Sequence, residues 1–461
     1  MSSYDPNEIS ALDAHGQAEL LKSGAVGPAE LVDAALERIE ALNPQVNAIN
    51  YIAAEHALAA TKKVDPSLPM AGVPYVLKEA TEYPGLPHTS GSRICKNRIG
   101  RRSYPFTDKL DAAGLIVCGL STMPEFGLTG TGEALLNGPT RNPWDLEKSS
   151  GGSSSGAAVA VATGMTPFAT GSDGGGSIRI PASHCGVVGF KPSRGWNDRA
   201  RGVNLVDDIL VSDGLLARSM RDTIWGAQYV RSQPPGQVDA GRRLKVALCL
   251  KGLNGADPDA DVSGVVRQAA ELCASLGHSV EERSLPLDAS VLHEAFGVIW
   301  CYGAGEVVDF FRAKSEEDAD RLLEPWTLGL AARRDAAAPN EIADAFKAVS
   351  AIDSQLASFW EDYDVVLSPT TSSTAPPLGV MAPDRPFDAT WKSVFQHVNY
   401  TQLQNMAGFP GLSLPLFTAA NGMPAGAMFW TRAGGDDLLL SLGAALEKAN
   451  PWGERRPPLA R

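Results

Sequence analysis

Residues 151–192, GGSSSGAAVAVATGMTPFATGSDGGGSIRIPASHCGVVGFKP, hold the features that decide the fold and the candidate chemistry of this chain. Three serines, 153–155, stand before a run of small residues at 157–164 that predicts a tightly packed helix. A further serine, Ser177, directly follows three glycines. Glycine reaches backbone conformations closed to other residues, so the N–H groups of this run can converge on one point. Converging N–H groups beside a serine hydroxyl are what acyl transfer needs for its developing oxyanion.

Strands and helices alternate on both sides of this stretch, which predicts an α/β fold. Upstream, helical periodicity covers 8–48, and an apolar run at 73–77 predicts a strand that ends at Lys78. Residues 127–155 are rich in Gly, Thr, Asn, Pro and Ser and are expected to be mostly loop. Downstream we expect mainly helix through 286–363, a helix at 261–276, and strands at 244–250, 280–285, 365–367 and 411–416. No internal repeat or low-complexity linker divides the sequence, so we expect one large domain over residues 1–461.

Composition excludes several classes of function. The 40 basic and 53 acidic residues give a formal net charge of −13, which argues against a broad cationic surface for nucleic acid. The densest basic run, Arg98, Arg101 and Arg102, is typical of a solvated loop. The six cysteines and seven histidines are scattered without metal-ligand spacing, so we expect reduced thiols and no metal site. There is no signal-peptide pattern and no apolar run of the ~20 residues that a membrane helix needs. The sequence therefore predicts a soluble, cytoplasmic protein that does not bind membranes or nucleic acid.

Ser177 and Lys78 are residue types that could act as a nucleophile and its base. A serine hydroxyl is a weak nucleophile without a base, and a lysine buried at a strand end has a lowered pKa and can accept a proton. The alternatives are structural: a tight turn at Ser177 and a lysine that extends to solvent. A third reading is a nucleophile elbow, because residues 152–156 match G-x-S-x-G with Ser154 as nucleophile. Such an elbow should directly follow a strand, whereas the residues before it here are expected to be loop. Its histidine should come late in the chain, and only His397 lies in such a position.

Motifs along almost the whole chain resemble the amidase signature family. They are GVPYVLK (72–78), LDAAGLIVCGLSTMPEFG (110–127), GPTRNPWD (138–145), GGSSSG (151–156), GSDGGGSIRIPAS (171–183), GFKPSRG (189–195), DYDVVLSPT (362–370), NMAGFPGLSLP (405–415) and GMPAGAMFW (422–430). The family's two triad serines stand 24 positions apart, as Ser153 and Ser177 do here. Three departures are Ser155 in place of a glycine, Glu79 where aspartate is common, and Leu215 where many members have proline.

The resemblance implies an amide hydrolase with a Ser–cisSer–Lys triad. Ser177 is then the nucleophile, Ser153 the relay and Lys78 the base, with the N–H groups of Gly174, Gly175, Gly176 and Ser177 as the oxyanion hole. No metal or cofactor is implied. The implied fold is a single large domain with a central mixed β-sheet covered by helices. Its implied regions are N-terminal helices (8–65), a catalytic region (66–240), a helical substrate lobe (245–390) and a C-terminal return to the core (391–461).

The substrate class is left open by the resemblance, beyond a small-molecule amide or a related hydrazide or ester. One branch of the family serves as an amidotransferase subunit within a complex, but it usually carries GSDTGGSIRQPA where this chain reads GSDGGGSIRIPA. The end of the chain is more similar to bacterial amidases of the 6-aminohexanoate cyclic-dimer hydrolase type. The sequence leaves the oligomeric state open, with the N-terminal helices as a candidate surface for a homodimer. As pocket residues we predict Phe126, Thr131, Trp300, Cys301 and Tyr302. Asp173 and Arg179 are expected to brace the nucleophile loop, and His184 and Cys185 to be packed.

Overall fold

The computed structural model describes residues 5–200, 205–239 and 241–460. Its strands are β1 (Ile49–Ile52), β2 (Pro74–Lys78), β3 (Ile116–Ser121), β4 (Glu133–Ala134), β5 (Gly138–Pro139), β6 (Arg141–Asn142), β7 (Asp145–Ser149), β8 (Phe168–Asp173), β9 (Val188–Lys191), β10 (Ser212–Ala217), β11 (Lys245–Leu248), β12 (Ser279–Glu282), β13 (Val365–Pro369), β14 (Gly411–Thr418) and β15 (Pro424–Trp430). Its helices are α1 (Pro6–Ala11), α2 (Ala14–Lys22), α3 (Pro28–Val46), α4 (Ala54–Thr61), α5 (Pro105–Ala112), α6 (Ser155–Thr163), α7 (Arg179–Cys185), α8 (Leu205–Leu210), α9 (Met220–Val230), α10 (Ala260–Ser275), α11 (Ala289–Lys314), α12 (Ala319–Leu322), α13 (Pro325–Asp335), α14 (Glu341–Ser350), α15 (Ile352–Leu356), α16 (Phe359–Asp362), α17 (Phe387–His397), α18 (Gln402–Ala407) and α19 (Asp436–Ala449). Short 3₁₀ helices lie at Arg93–Cys95, Glu125–Gly127 and Pro458–Ala460.

One sheet of 11 strands runs through the molecule in the order β1-β3-β2-β8-β10-β9-β14-β15-β13-β11-β12. It is mixed: β2 is parallel to β3 and β8, and β11 is parallel to β12 and β13, while β10, β14 and β15 pair antiparallel with their neighbours. The parallel pairs are joined through helices, as parallel pairing requires. This confirms the predicted single α/β fold with a central mixed sheet. None of the helices in the described ranges is both long and apolar enough to cross a membrane.

Helices cover both faces of the sheet, so its strands are apolar on both sides. In β2, Val76 packs into one core cluster while Tyr75 and Leu77 pack into the cluster on the opposite face. Helix α6 is fully buried along its length and is built from Ala, Val, Gly, Ser and Thr. Small side chains let this helix approach the sheet closely, as the sequence predicted for 157–164. The packing brings the N-terminus of α6, with its serines, to the strand ends.

Three segments of the chain show detail that the sequence pattern did not predict. Helix α3 contains Pro44 and continues to Val46; Asn47 then adopts a left-handed conformation (φ 51°), and the Asn43 side chain accepts from the N–H groups of Ala48 and Ile49. The expected loop at 127–155 contains the short strands β4–β7, because its polar residues pair as two small hairpins. Within 245–390, the strands β11, β12 and β13 belong to the main sheet, and the helices are α10–α17; that this segment forms a substrate lobe stays a prediction.

Candidate active site

Two parallel strands bring the candidate catalytic residues to one edge of the sheet. Lys78 is the last residue of β2 and Asp173 the last of its neighbour β8, so both strands end at the same place. The Lys78 main-chain N–H donates to Thr170 Oγ1 at 2.8 Å, which ties the two strands together there. Lys78 is only 1% exposed. Its amino group therefore lies inside the protein, as the sequence predicted, rather than extending to solvent.

The Lys78 amino group lies among serine oxygens. Its Nζ is 2.9 Å from Ser153 Oγ, 2.9 Å from Ser154 Oγ and 3.0 Å from Ser172 Oγ, and it also donates to the Ser172 carbonyl at 3.3 Å. The contact with Ser153 joins the predicted base and the predicted relay. The contacts with Ser154 and Ser172 are additional, because the triad implied by the family resemblance includes neither residue. Ser155 turns away, because its hydroxyl donates to the Thr122 carbonyl at 3.2 Å.

The backbone at Ser153 is held closely on two sides. The Gly152–Ser153 peptide bond is cis. A Cβ at Gly152 would overlap the Thr131 main chain, and a Cβ at Gly127 would stand 3.0 Å from Ser153 Oγ. Only glycine fits at these two positions without moving the neighbours. Thr131, predicted to line the pocket, lies instead behind this loop, where its hydroxyl donates to Glu133 and contacts Ser149.

Ser177 reaches the same cavity as Ser153. Both residues line a cavity of about 600 Å³, together with Ser172 and Gly174. The Ser177 carbonyl accepts from the Ser154 N–H at 3.1 Å, which connects the two serine segments. Ser153 thus contacts the buried Lys78 and lines the same cavity as Ser177.

The four N–H groups of residues 174–177 were predicted to form the oxyanion hole, but one of them already donates a hydrogen bond. The Gly176 N–H donates to Asp173 Oδ1 at 2.8 Å, so this group already has an acceptor. Among the described residues, the N–H groups of Gly174, Gly175 and Ser177 have no hydrogen-bond acceptor. The prediction of Gly176 as an oxyanion donor is therefore not supported by the structure, and three donors are left.

A buried ion pair fixes the loop that carries Ser177. Arg179 donates to both carboxylate oxygens of Asp173 at 2.9 Å, and both side chains are fully buried. Burial alone would raise the pKa of Asp173, but the charges of Arg179 and Lys191 and the hydrogen bonds from Arg179 and Asn405 together outweigh that effect and hold the pKa below its ordinary value. Asp173 also accepts from the Ile178 N–H. These two residues brace the turn around Ser177, as the sequence predicted.

Glu79, the neighbour of the candidate base, is also buried. Its carboxylate accepts from Asn50 Nδ2 at 2.6 Å and from the Thr89 hydroxyl. Burial raises the pKa of Glu79 to about 7, although these hydrogen bonds oppose the shift. The carboxyl group joins β2 to the segment around residue 90 that forms one wall of the cavity.

Of the five predicted pocket residues, Phe126 and Trp300 line the cavity and the other three do not. On α11 the residues that face the cavity are Trp300, Gly303, Ala304, Val307 and Phe310. Successive helical residues are rotated by about 100°, so Cys301 and Tyr302 point to the other side of the helix. There they line a separate cavity of about 250 Å³ against α13 and the segment 337–342. Cys301 and Tyr302 were thus wrong as predictions for this pocket.

Residues of several loops and of α8, none of which the sequence analysis placed in the site, complete the cavity wall. The Leu128 main-chain carbonyl accepts hydrogen bonds from the indole N–H groups of both Trp300 and Trp326, each at 3.0 Å. Trp300 lies on α11 and Trp326 on α13, so two helices hold the loop that presses Gly127 against Ser153. Further lining residues are Ala80, Glu82, His88, Ser90, Arg98, Arg102, Tyr104, Met123, Leu128, Val206, Asp207, Leu210 and Val211.

His397, the histidine that an elbow mechanism would need, is engaged elsewhere. Its Nε2 lies 3.1 Å from His184 Nε2, and its Nδ1 lies 3.1 Å from Ser373 Oγ. Burial lowers the pKa of His397 to about 4 and also lowers the pKa of His184. Cys185 is buried and donates to the Ser150 carbonyl. The geometry pairs Ser154 with Lys78 and gives no support to a histidine-dependent elbow.

Comparison with known proteins identifies the family of the chain. Residues 30–440 match the family model described as Amidase. The chain is 32% identical to 6-aminohexanoate-cyclic-dimer hydrolase of Paenarthrobacter ureafaciens, covering 97% of this chain and 96% of that protein. It is 31% identical to an acylamidase of Rhodococcus erythropolis, covering 97% of both chains. Among solved structures, 6-aminohexanoate cyclic dimer hydrolase complexed with substrate superposes with a TM-score of 0.89 at 28% identity, over 98% of this chain and 100% of the other.

Proposed function

The chain belongs to the amidase signature family and is an amide hydrolase, and from that premise we propose that it works through a Ser177–Ser153–Lys78 triad. The observation that carries the proposal is the 2.9 Å contact between Lys78 Nζ and Ser153 Oγ at a cavity that Ser177 also lines. A buried lysine is suited to this role because burial favours its neutral form, which can accept a proton.

In the proposed reaction Ser177 Oγ attacks the amide carbonyl carbon. Its proton passes to Ser153 Oγ, while the Ser153 proton passes to neutral Lys78 Nζ. The carbonyl oxygen becomes an oxyanion that the N–H groups of Gly174, Gly175 and Ser177 stabilise; losing one such donor typically costs about 3–4 kcal/mol. The C–N bond then breaks, and the proton returns through Ser153 to the leaving nitrogen. Water cleaves the acyl-serine by the same proton route and frees Ser177.

The proposed substrate is a small-molecule amide or a related acyl compound. The cavity volume of about 600 Å³ lies in the range of small-molecule sites. The described cysteines are all free and buried, which fits the cytoplasmic location that we propose. The homodimer stays a prediction.

The test is turnover of a panel of amides, anilides, hydrazides and esters by three variants. Ser177→Ala and Lys78→Ala are expected to lower kcat by at least about 10³-fold, because triad members act as a unit. Ser155→Ala is the matched control: it removes a buried hydroxyl from the same cluster that does not contact Lys78. A serine-reactive sulfonyl fluoride should modify the wild type at Ser177 as located by peptide mass spectrometry. Near-normal turnover by Ser177→Ala or Lys78→Ala would contradict the triad.

A further inference from the structure

The cavity follows one face of α11. Trp300, Gly303, Ala304, Val307 and Phe310 line it at the spacing of one helical face. Ten residues of helix span about 15 Å. Trp300 marks the catalytic end, since a Cβ at Gly174 would stand 3.4 Å from its ring. Phe310 marks the far end. The cavity is therefore elongated, with an apolar wall that suits an extended hydrocarbon chain.

The segment 82–104 forms a polar wall of the same cavity, and it reaches the far end of α11. Ile94 packs into the cluster that contains Val308 and Phe311. From this segment Arg98 and Arg102 both line the cavity. Neither forms an ion pair with a described residue. Among the described residues, the Arg98 guanidinium donates one hydrogen bond, to Cys95 Sγ at 3.8 Å. Two guanidinium groups thus face the cavity without a carboxylate partner.

The acidic groups of the cavity form no ion pair with these two arginines among the described residues. Glu82 also lines the cavity, where its Oε1 accepts from the Arg101 main-chain N–H at 2.7 Å. Asp207, on α8, already takes part in another interaction. A guanidinium binds a carboxylate through two parallel hydrogen bonds, and such charge-assisted bonds are stronger than neutral ones. The cavity thus combines a reacting centre, an apolar wall and two guanidinium groups.

We propose that the preferred substrates are amides that carry a carboxylate at the end of an apolar chain, and that Arg98 and Arg102 bind this carboxylate. The proposal rests on the proposed function, since it assigns the substrate class of that same site. The carboxylate can stand on the acyl side or on the amine side of the scissile bond. In either case the carboxylate is bound away from the reacting atoms. Its binding should therefore lower KM more than it raises kcat.

The test compares charged with neutral substrates of equal length. One arm uses the mono-para-nitroanilides of succinic, glutaric, adipic and suberic acid against para-nitroanilides of the matching unbranched monocarboxylic acids. The other arm uses butanoyl-para-aminobenzoate against butanoyl anilide. We expect at least one charged substrate to exceed its neutral partner by about ten-fold in kcat/KM. That advantage should shrink in high salt, because salt screens exposed charges.

The double variant Arg98→Gln/Arg102→Gln should abolish the preference for the charged substrates. Arg101→Gln is the matched control: it removes an exposed arginine from the same loop that does not line the cavity. Binding of the charged anilides to Ser177→Ala, measured by calorimetry, gives a readout that does not need turnover. The inference is overturned if neither arm shows a preference, or if the preference survives the double variant. Turnover that survives Ser177→Ala would instead overturn the proposed function.

Discussion

Replacing Arg179 with methionine would test how the nucleophile loop is held. Arg179 is fully buried, and its guanidinium donates five hydrogen bonds to oxygen atoms: two to Asp173, and one each to Thr401 O, Asn405 Oδ1 and Gln404 Oε1. Methionine keeps most of the volume and removes the charge. Asp173 would then be a buried carboxylate without its cation, although it would keep its N–H donors.

Breaking a buried ion pair from one side typically costs about 3–5 kcal/mol, because the remaining charge is desolvated and unpaired. Unfolding entropy scales with chain length, so in a chain of this size each kcal/mol lowers the melting temperature by about 1 °C. We therefore expect Arg179→Met to melt about 3–5 °C below the wild type. Activity should fall as well, since Asp173 holds the Gly176 N–H beside Ser177.

The measurement is thermal and urea unfolding followed by circular dichroism, with Arg312→Met as the control. Arg312 forms an ion pair of the same fork geometry with Asp320, at 2.8 and 2.9 Å, but both side chains are almost half exposed. An exposed pair contributes about 1 kcal/mol or less. If the two variants lose equal stability, burial does not set the cost and the reasoning fails.

Two further substitutions probe the groups around Lys78. Ser154→Ala removes one of its hydroxyl contacts and should lower kcat by about two- to ten-fold, as expected for one net hydrogen bond; a loss above a hundred-fold in steady-state kinetics would place Ser154 in the proton relay. For Glu79, burial raises the pKa from 4.5 to about 7, so the folded state binds the extra proton and loses stability as pH rises between these values. That loss of stability is about 3 kcal/mol, and Glu79→Gln should remove it. We therefore measure the free energy of unfolding in urea at about pH 5 and at about pH 8. The difference between the two values should be smaller in Glu79→Gln than in the wild type or in the exposed control Glu40→Gln. An unchanged pH dependence would show that Glu79 is not the group responsible.

The sequence predicted the parts of the site that depend on local pattern. The apolar run before Lys78 predicted a strand, and the small residues after Ser155 predicted a buried helix; together these two elements put Lys78 beside Ser153. The hydrogen bond between Gly176 and Asp173 could not be predicted, because it depends on how the turn folds back on itself.

Pocket residues were predicted less well because a wall is assembled from distant segments. Residues 300–302 were predicted as a block, but helical rotation separates Trp300 from Cys301 and Tyr302. The sequence signal that could have found the correct set was the 3.6-residue period that links Trp300 to Ala304, Val307 and Phe310. Arg98 and Arg102 were read as an ordinary solvated loop, since nothing local shows that α11 lies across from them.

Because the Leu128 carbonyl accepts from both tryptophans, the residues that hold the loop beside Ser153 differ from most of the residues that shape the cavity wall on α11. Trp300 and Trp326 use their indole N–H groups to hold the catalytic loop, whereas Gly303, Val307 and Phe310 only offer surface to the cavity. A library restricted to these last three positions could reshape the α11 wall of the cavity while the loop that contacts Ser153 keeps its position. Altered substrate range would then come with little loss of turnover, which is the starting point that directed evolution of a new amidase needs.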